Sequence, residues 1–213
     1  MVKWDVGKKD CIRAIKLQVH GTPGPDTITY RAWRNLGKIG IEVLWNTIKA
    51  LNKDNASEEL RKTYNECGWQ KGTHAFNHAA IVCILKEPSG AFDNGYTWPS
   101  PENTRPLGMV NKDNRIIAAA VKNKWETFLN EAISQKQKGF LKNRSMLSSV
   151  VHIEWDAMRI TLKERTGCTS LSNFKAAFPS IEHDYMHAIL CILQIPTKCE
   201  NITRILHEDN GAY

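Results

Sequence analysis

The sequence predicts an α+β fold that is mostly helical, and three observations lead to this prediction. Apolar residues recur at helical spacing through several long stretches, the first of them over residues 30–53. The short apolar run over 79–85 is rich in β-branched residues, which favours a buried strand. Residues 87–104 are rich in Pro, Gly, Ser and Asn, a composition typical of loops.

The N-terminal part is predicted to hold a turn and two helices. Residues 1–20 are basic and weakly patterned, and Pro23-Gly24-Pro25-Asp26 follows as a turn cluster. The helical period then predicts a helix over 30–53. A shorter helix is predicted over 57–67, with Ser57 as its N-cap and acidic residues in its first turn.

The remaining elements alternate short strands with longer helices. A strand is predicted over 107–110, and a helix that Asn111 or Asp113 caps then runs to residue 132. A helix over 145–164, a strand over 169–174 and a helix over 181–193 follow. Pro196 ends that region, and a last helix covers 199–207. Because no linker divides the chain, we expect a poorly defined basic segment over 1–20 and one domain over 21–213.

Composition and charge favour an intracellular protein with a polyanionic partner. The chain has a net charge of +7. Residues 105–144 hold nine basic and three acidic side chains, which accounts for most of this charge. The alternative is a solvated basic helix face. No apolar run reaches membrane-spanning length and the N-terminus lacks a signal-peptide pattern, so we expect a cytoplasmic or nuclear location without a membrane partner.

Five sequence blocks stand in a recognisable order. They are Pro23-Gly24-Pro25-Asp26, Ile84-Leu85-Lys86-Glu87-Pro88, Thr104-Arg105-Pro106-Leu107, Gln137-Lys138-Gly139-Phe140 with Arg144, and Asn173-Phe174-Lys175-Ala176-Ala177-Phe178. Together they resemble the N-terminal half of the reverse transcriptase (RNA-directed DNA polymerase) domain of non-LTR retrotransposons, over roughly residues 20 to 210. Thr27 departs from the pattern, since the family usually has Gly there, and a strained or different turn is expected.

The resemblance implies the mostly helical fingers and part of the palm of a right-hand polymerase. In that family two Mg²⁺ ions catalyse nucleotidyl transfer and are held by carboxylates. Asn173 stands at the position of the first catalytic Asp, and Phe174 at the residue whose backbone carbonyl also binds the metal. Asn is neutral, so it loses an attraction to the cation on the order of several kcal/mol. We therefore expect Mg²⁺ not to be functionally bound.

The same resemblance implies contacts with nucleotide and template. Lys86 and Arg105 match basic residues that grip the triphosphate of a deoxynucleotide, and Phe178 matches the aromatic residue that excludes a 2′-hydroxyl. Gln137 and Arg144 match residues on the template side. The implied partners are an RNA template with a DNA primer, or an RNA–DNA hybrid.

Three functional interpretations stay open. The chain ends before the family's Asp-Asp motif, so the first is a truncated, catalytically inactive fragment of a reverse transcriptase. The second is a non-catalytic RNA- or DNA-binding module derived from the fingers, which the basic stretch over 105–144 favours. The third is a decayed open reading frame without a function.

Overall fold

Helices form most of the described chain, with a small amount of antiparallel sheet. The computed structural model describes residues 4–19, 21–67, 76–86, 90–95, 97–98, 100–164, 166–174, 177 and 180–208. Its elements are α1 (Lys8–Leu17), α2 (Tyr30–Asn35), α3 (Gly37–Leu51), α4 (Ala56–Glu66), β1 (Ala79–Leu85), β2 (Gly90–Ala91), β3 (Thr97–Trp98), β4 (Thr104–Val110), α5 (Lys112–Ala132), α6 (Met146–Glu164), α7 (His183–Ile192) and α8 (Thr197–His207). The predicted α+β class is confirmed at this level.

The chain divides into two compact units, and the domain predicted over 21–213 stays a prediction. The first unit combines Met1–Lys122 with Pro196–Tyr213, and the second is Asn123–Ile195. Helix α5 therefore runs from one unit into the next. None of the helices in the described ranges has the length and apolar character that a membrane span requires.

The basic N-terminal segment contains a helix that the sequence did not predict. Helix α1 contacts α2 and α3 and buries Cys11, Ala14 and Ile15, which lie on one face at helical spacing. The Arg34 guanidinium of α2 donates to the backbone carbonyls of Ile15 and Gln18 at the end of α1. Only three buried residues mark this helix, too few for the period to stand out among its lysines.

The helix predicted over 30–53 is two helices. Gly37, with φ of +53°, begins α3 directly after the C-cap of α2. Such a φ is freely accessible only to glycine, so Gly37 allows the break between the two helices. Leu44, Ile48 and Leu51 then form the buried face of α3.

Strands β1 and β4 pair antiparallel from Ala79 opposite Val110 to Leu85 opposite Thr104. The predicted strand is confirmed, but its predicted burial is wrong, because Ala79 alone in β1 is buried. The described sheet has two strands, and such a ladder leaves most of both faces uncovered unless other elements pack on it.

Helix α4 also differs from its prediction. It begins at Ala56, and the Ser57 hydroxyl donates to Glu208 Oε2 at 2.6 Å instead of capping the helix.

The turn before α2 packs against Asn111, the residue that directly precedes α5. The backbone N–H of Asp26 donates to Asn111 Oδ1 at 3.1 Å, and the Asn111 carbonyl accepts from the Arg115 N–H at 3.2 Å. Asn111 thus stands at the N-cap position, one of the two predicted, but its side chain accepts from Asp26 and does not cap the helix. Thr27 in this turn has φ of +60°, a region that favours glycine, in agreement with the expected strain.

A buried asparagine joins three elements of the first unit. Asn77, which is 4% exposed, precedes β1. Its amide nitrogen donates to the carbonyls of Ile205 and Glu208 at the end of α8. Its amide oxygen accepts from Asn114 Nδ2 of α5 at 2.7 Å. These bonds satisfy polar groups that would otherwise be buried without partners.

The second unit holds the C-terminal part of α5 with α6 and α7. Helix α6 fits its predicted range, but its apolar residues are exposed, and Trp155 is 66% exposed. The strand predicted over 169–174 is wrong, because the described residues 166–174 are irregular and exposed. A strand requires a hydrogen-bonding neighbour, and the described residues offer none to this segment.

Candidate nucleic-acid interface

Lys86 and Arg105 lie together at the open end of the β1–β4 ladder. Arg105 is opposite Ile84 in the register, and Lys86 follows β1 directly. The Lys86 N–H donates to the Asn103 carbonyl at 2.8 Å, which extends the pairing by one residue beyond the ladder. Opposite residues of paired strands share a face of the sheet, and so do alternate residues of one strand. Arg105 lies opposite Ile84 and Lys86 is two residues after Ile84, so the two basic residues lie on the same face.

The two side chains line one open cleft of about 450 Å³, together with Ile84, Leu85 and Asn103. Both are exposed, and among the described residues neither forms an ion pair or a side-chain hydrogen bond. The cleft therefore presents two cationic groups, and its described lining contains no carboxylate.

This arrangement is suited to a phosphate-bearing ligand. A guanidinium offers paired N–H donors that match two phosphate oxygens, and an ammonium adds a mobile point charge. Two like charges on one cleft repel each other until an anion enters, so binding relieves an unfavourable interaction. The main-chain pairing of Lys86 with Asn103 fixes the spacing of the two chain positions.

Arg144 closes the end of α5 and the loop after it. Its Nη2 donates to the carbonyls of Asn130 at 2.6 Å and Ile133 at 3.0 Å, and its Nη1 to those of Ser134 at 2.5 Å and Gln137 at 2.8 Å. A cation on the last carbonyls of a helix satisfies their hydrogen-bonding capacity and the helix dipole. The sequence did not predict this local role, and a template contact for Arg144 stays a prediction.

Gln137, the second residue predicted to contact a template, also has a local partner. The Gln137 side chain donates to the Gly139 carbonyl at 3.2 Å. Its role toward a template therefore also stays a prediction.

Asn173 and Phe174 lie in the irregular segment of the second unit. Both are exposed, Phe174 to 81%, while Phe178 lies outside the described residues. Asn173 would offer one neutral amide oxygen, and no three His, Cys, Asp or Glu side chains gather as a metal site in the described ranges. These donors do not match the carboxylate set that Mg²⁺ prefers, so a Mg²⁺ role stays an implication of the resemblance.

Lys112 is a basic residue whose setting the sequence did not reveal. The sequence shows it as one lysine of the basic stretch, whereas the structure leaves it 2% exposed. Burial lowers the pKa of its ammonium, and Arg115 lowers it further, while Asp26 acts in the opposite direction. Its only sequence signal is its position directly after the N-cap residue Asn111.

The cleft of Lys86 and Arg105 is thus the described site that best matches the sequence predictions. This cleft belongs to the first unit, and the segment of Asn173 belongs to the second. No protein-family model matches the chain, and no curated protein is significantly similar to it.

Proposed function

We propose that this chain is a nucleic-acid-binding protein derived from the fingers and partial palm of a non-LTR retrotransposon reverse transcriptase, and that it does not catalyse DNA synthesis. One observation carries the proposal. Lys86 and Arg105 come from two separate blocks of the resemblance, and they line the same cleft. Shared ancestry explains why both blocks are present, and phosphate binding explains why their basic side chains converge.

The charge of the cleft favours a backbone contact over sequence reading. Lys86 and Arg105 are exposed cations beside the apolar residues Ile84 and Leu85. Cationic side chains of this kind bind phosphates without distinguishing bases. The ligand class is therefore a single-stranded RNA or an RNA–DNA hybrid, with a nucleoside triphosphate as the ligand that the polymerase ancestry implies.

The proposed loss of catalysis rests on Asn173. In-line phosphoryl transfer with two metals needs anionic ligands that neutralise the developing charge. Asn173 is neutral, and the 213 residues contain no adjacent pair of aspartates. On this proposal the chain keeps a basic cleft for nucleic acid and lacks the first carboxylate of the chemistry.

We expect no DNA synthesis in a primer-extension assay with an RNA template, a DNA primer, deoxynucleotides and Mg²⁺. We also expect that Asn173→Asp does not restore synthesis, because a second set of carboxylates is absent from these 213 residues. An active reverse transcriptase in a parallel reaction serves as the positive control. Template-dependent extension by the purified wild-type chain would disprove the claim of inactivity.

Binding of a 20-nucleotide RNA is expected to weaken steeply with salt. Each phosphate contact of a single strand contributes about −0.7 to the slope of log K against log salt concentration, so the two cations of the cleft predict a slope of roughly −1.4 or steeper. Fluorescence anisotropy at several salt concentrations measures it, with RNA and an RNA–DNA hybrid as parallel ligands. A folded chain that binds neither ligand at low salt would favour the decayed open reading frame.

A further inference from the structure

A second cleft in the first unit carries two further basic residues that the resemblance does not assign. It lies where the end of α1 meets α2 and the start of α5, and its volume is about 430 Å³. Leu17, Tyr30 and Met109 contribute apolar surface, while Lys112 and Arg115 contribute the charge. All of these residues belong to the first unit.

The ammonium of the buried residue Lys112 has no hydrogen-bond acceptor among the described residues. Its Nζ lies 4.8 Å from the centroid of the Tyr30 ring, and it donates no hydrogen bond to any described residue. Asp26 is close enough to influence it but forms no ion pair with it. A cation over an aromatic ring gains some attraction, but the N–H groups directed away from the ring still require acceptors.

Arg115 adds a second cation on the same side of α5. It stands three residues after Lys112, a spacing that places the two side chains on one helix face. Arg115 is exposed, and its guanidinium has no ion pair or hydrogen bond among the described residues. The pair therefore gives the cleft one cation over the Tyr30 ring and one exposed cation.

At the start of α5 two side-chain oxygens already accept backbone hydrogen bonds. Asp113 Oδ1 accepts from the Asn114 N–H at 2.7 Å, and Asn111 Oδ1 accepts from the Asp26 N–H. The case for an anion in this cleft rests on the side chains of Lys112 and Arg115.

We propose that this cleft is a phosphate-binding site in which Lys112 and Arg115 hold the phosphate and the apolar wall of Leu17, Tyr30 and Met109 contacts the attached sugar or base. A phosphate oxygen supplies the acceptor that the Lys112 ammonium lacks, and the guanidinium binds two further oxygens. The volume of the cleft falls in the range typical of small-ligand sites. The phosphate comes from a mononucleotide or from a nucleic-acid strand, and the site does not depend on the function of the Lys86–Arg105 cleft.

The test uses calorimetric titration of the full chain carrying Lys86→Gln and Arg105→Gln, so that the other cleft does not contribute. The probes are inorganic phosphate, adenosine monophosphate and a 12-nucleotide RNA. In this background we expect Arg115→Gln to weaken adenosine monophosphate binding at least fivefold. The matched control Arg31→Gln removes the same charge from an exposed position on α2 outside the cleft, and it should change the affinity less than twofold.

A second variant tests the buried cation. Lys112→Met keeps the apolar part of the side chain and should weaken binding at least tenfold while the circular dichroism spectrum is unchanged. If adenosine monophosphate binds more tightly than the RNA, the ligand of the site is a nucleotide. If only the RNA binds, and Arg115→Gln weakens that binding, the ligand is a phosphate of a nucleic-acid strand. The proposal is wrong if none of the three probes binds at millimolar concentration, or if Arg115→Gln and Arg31→Gln have equal effects. If the Lys86→Gln/Arg105→Gln chain binds RNA more weakly than the wild type but still binds adenosine monophosphate, the two clefts are separate sites.

Discussion

Replacing Gly24 with alanine is expected to lower the free energy of unfolding by about 3 kcal/mol, the upper part of the range for overpacking a tight site. A Cβ on Gly24 would lie 2.6 Å from both the backbone nitrogen and the Cα of Asn111. These are main-chain atoms at the start of a 21-residue helix, so a rotamer change cannot remove the clash. The turn would have to leave Asn111 and give up the hydrogen bond from Asp26 to its side chain. Urea denaturation followed by circular dichroism measures the change.

Thr27→Gly in the same turn is the matched control and should act in the opposite direction. Thr27 has φ of +60°, which costs a β-branched residue about 1–2 kcal/mol. Glycine removes this cost but adds about 0.5–1 kcal/mol of backbone entropy to the unfolded chain, so a small net stabilisation remains. Equal stabilities of Gly24→Ala and the wild type would contradict the described docking of this turn on Asn111.

Asn77→Ala is expected to lower the free energy of unfolding by about 3 kcal/mol, since each buried polar group left unsatisfied costs about 1–3 kcal/mol. The substitution removes the acceptor of Asn114 Nδ2 and the donor to the Glu208 carbonyl. The bond to Ile205 is lost as well, although that carbonyl keeps the Glu208 N–H at 3.3 Å. The transition should remain cooperative with a lower urea midpoint.

Two further variants separate the network from a general effect of losing an asparagine. Asn35→Ala removes an exposed asparagine whose side chain forms no hydrogen bond with a described residue, and it should change stability by less than about 0.5 kcal/mol. Asn77→Ala combined with Asn114→Ala should cost less than the sum of the two single changes, because the second change removes the unsatisfied group that the first creates. Strict additivity would show that the two amides do not interact.

The helical period predicted those elements whose apolar face is regular and buried. Helix α5 was predicted nearly to the residue, because Ile116, Ala120 and Val121 repeat on the face that the first unit buries. The period fails where few residues are buried, as in α1. It also cannot tell which neighbour covers an apolar segment, and for that reason β1 and the helix with Trp155 are more exposed than their composition indicates.

The residues of the candidate site could be predicted from the sequence, but their arrangement in space could not. The resemblance predicts Lys86 and Arg105 as binding residues, and the register of β1 with β4 brings them to one cleft. The four carbonyl contacts of Arg144 depend on how the chain folds back after α5, which no local pattern encodes. The burial of Lys112 similarly depends on Tyr30, a residue 82 positions earlier in the sequence.

The central claim is that Lys86 and Arg105 hold the phosphates of a nucleic acid, and anisotropy titration of a labelled 20-nucleotide RNA tests it most directly. The variant Lys86→Gln/Arg105→Gln is compared with Lys9→Gln/Arg13→Gln, which removes the same charges from exposed positions of α1. We predict at least tenfold weaker binding for the first variant, with a salt slope reduced by roughly 1.4, and less than a threefold change for the second. Equal affinities and salt slopes for the two variants would contradict the claim.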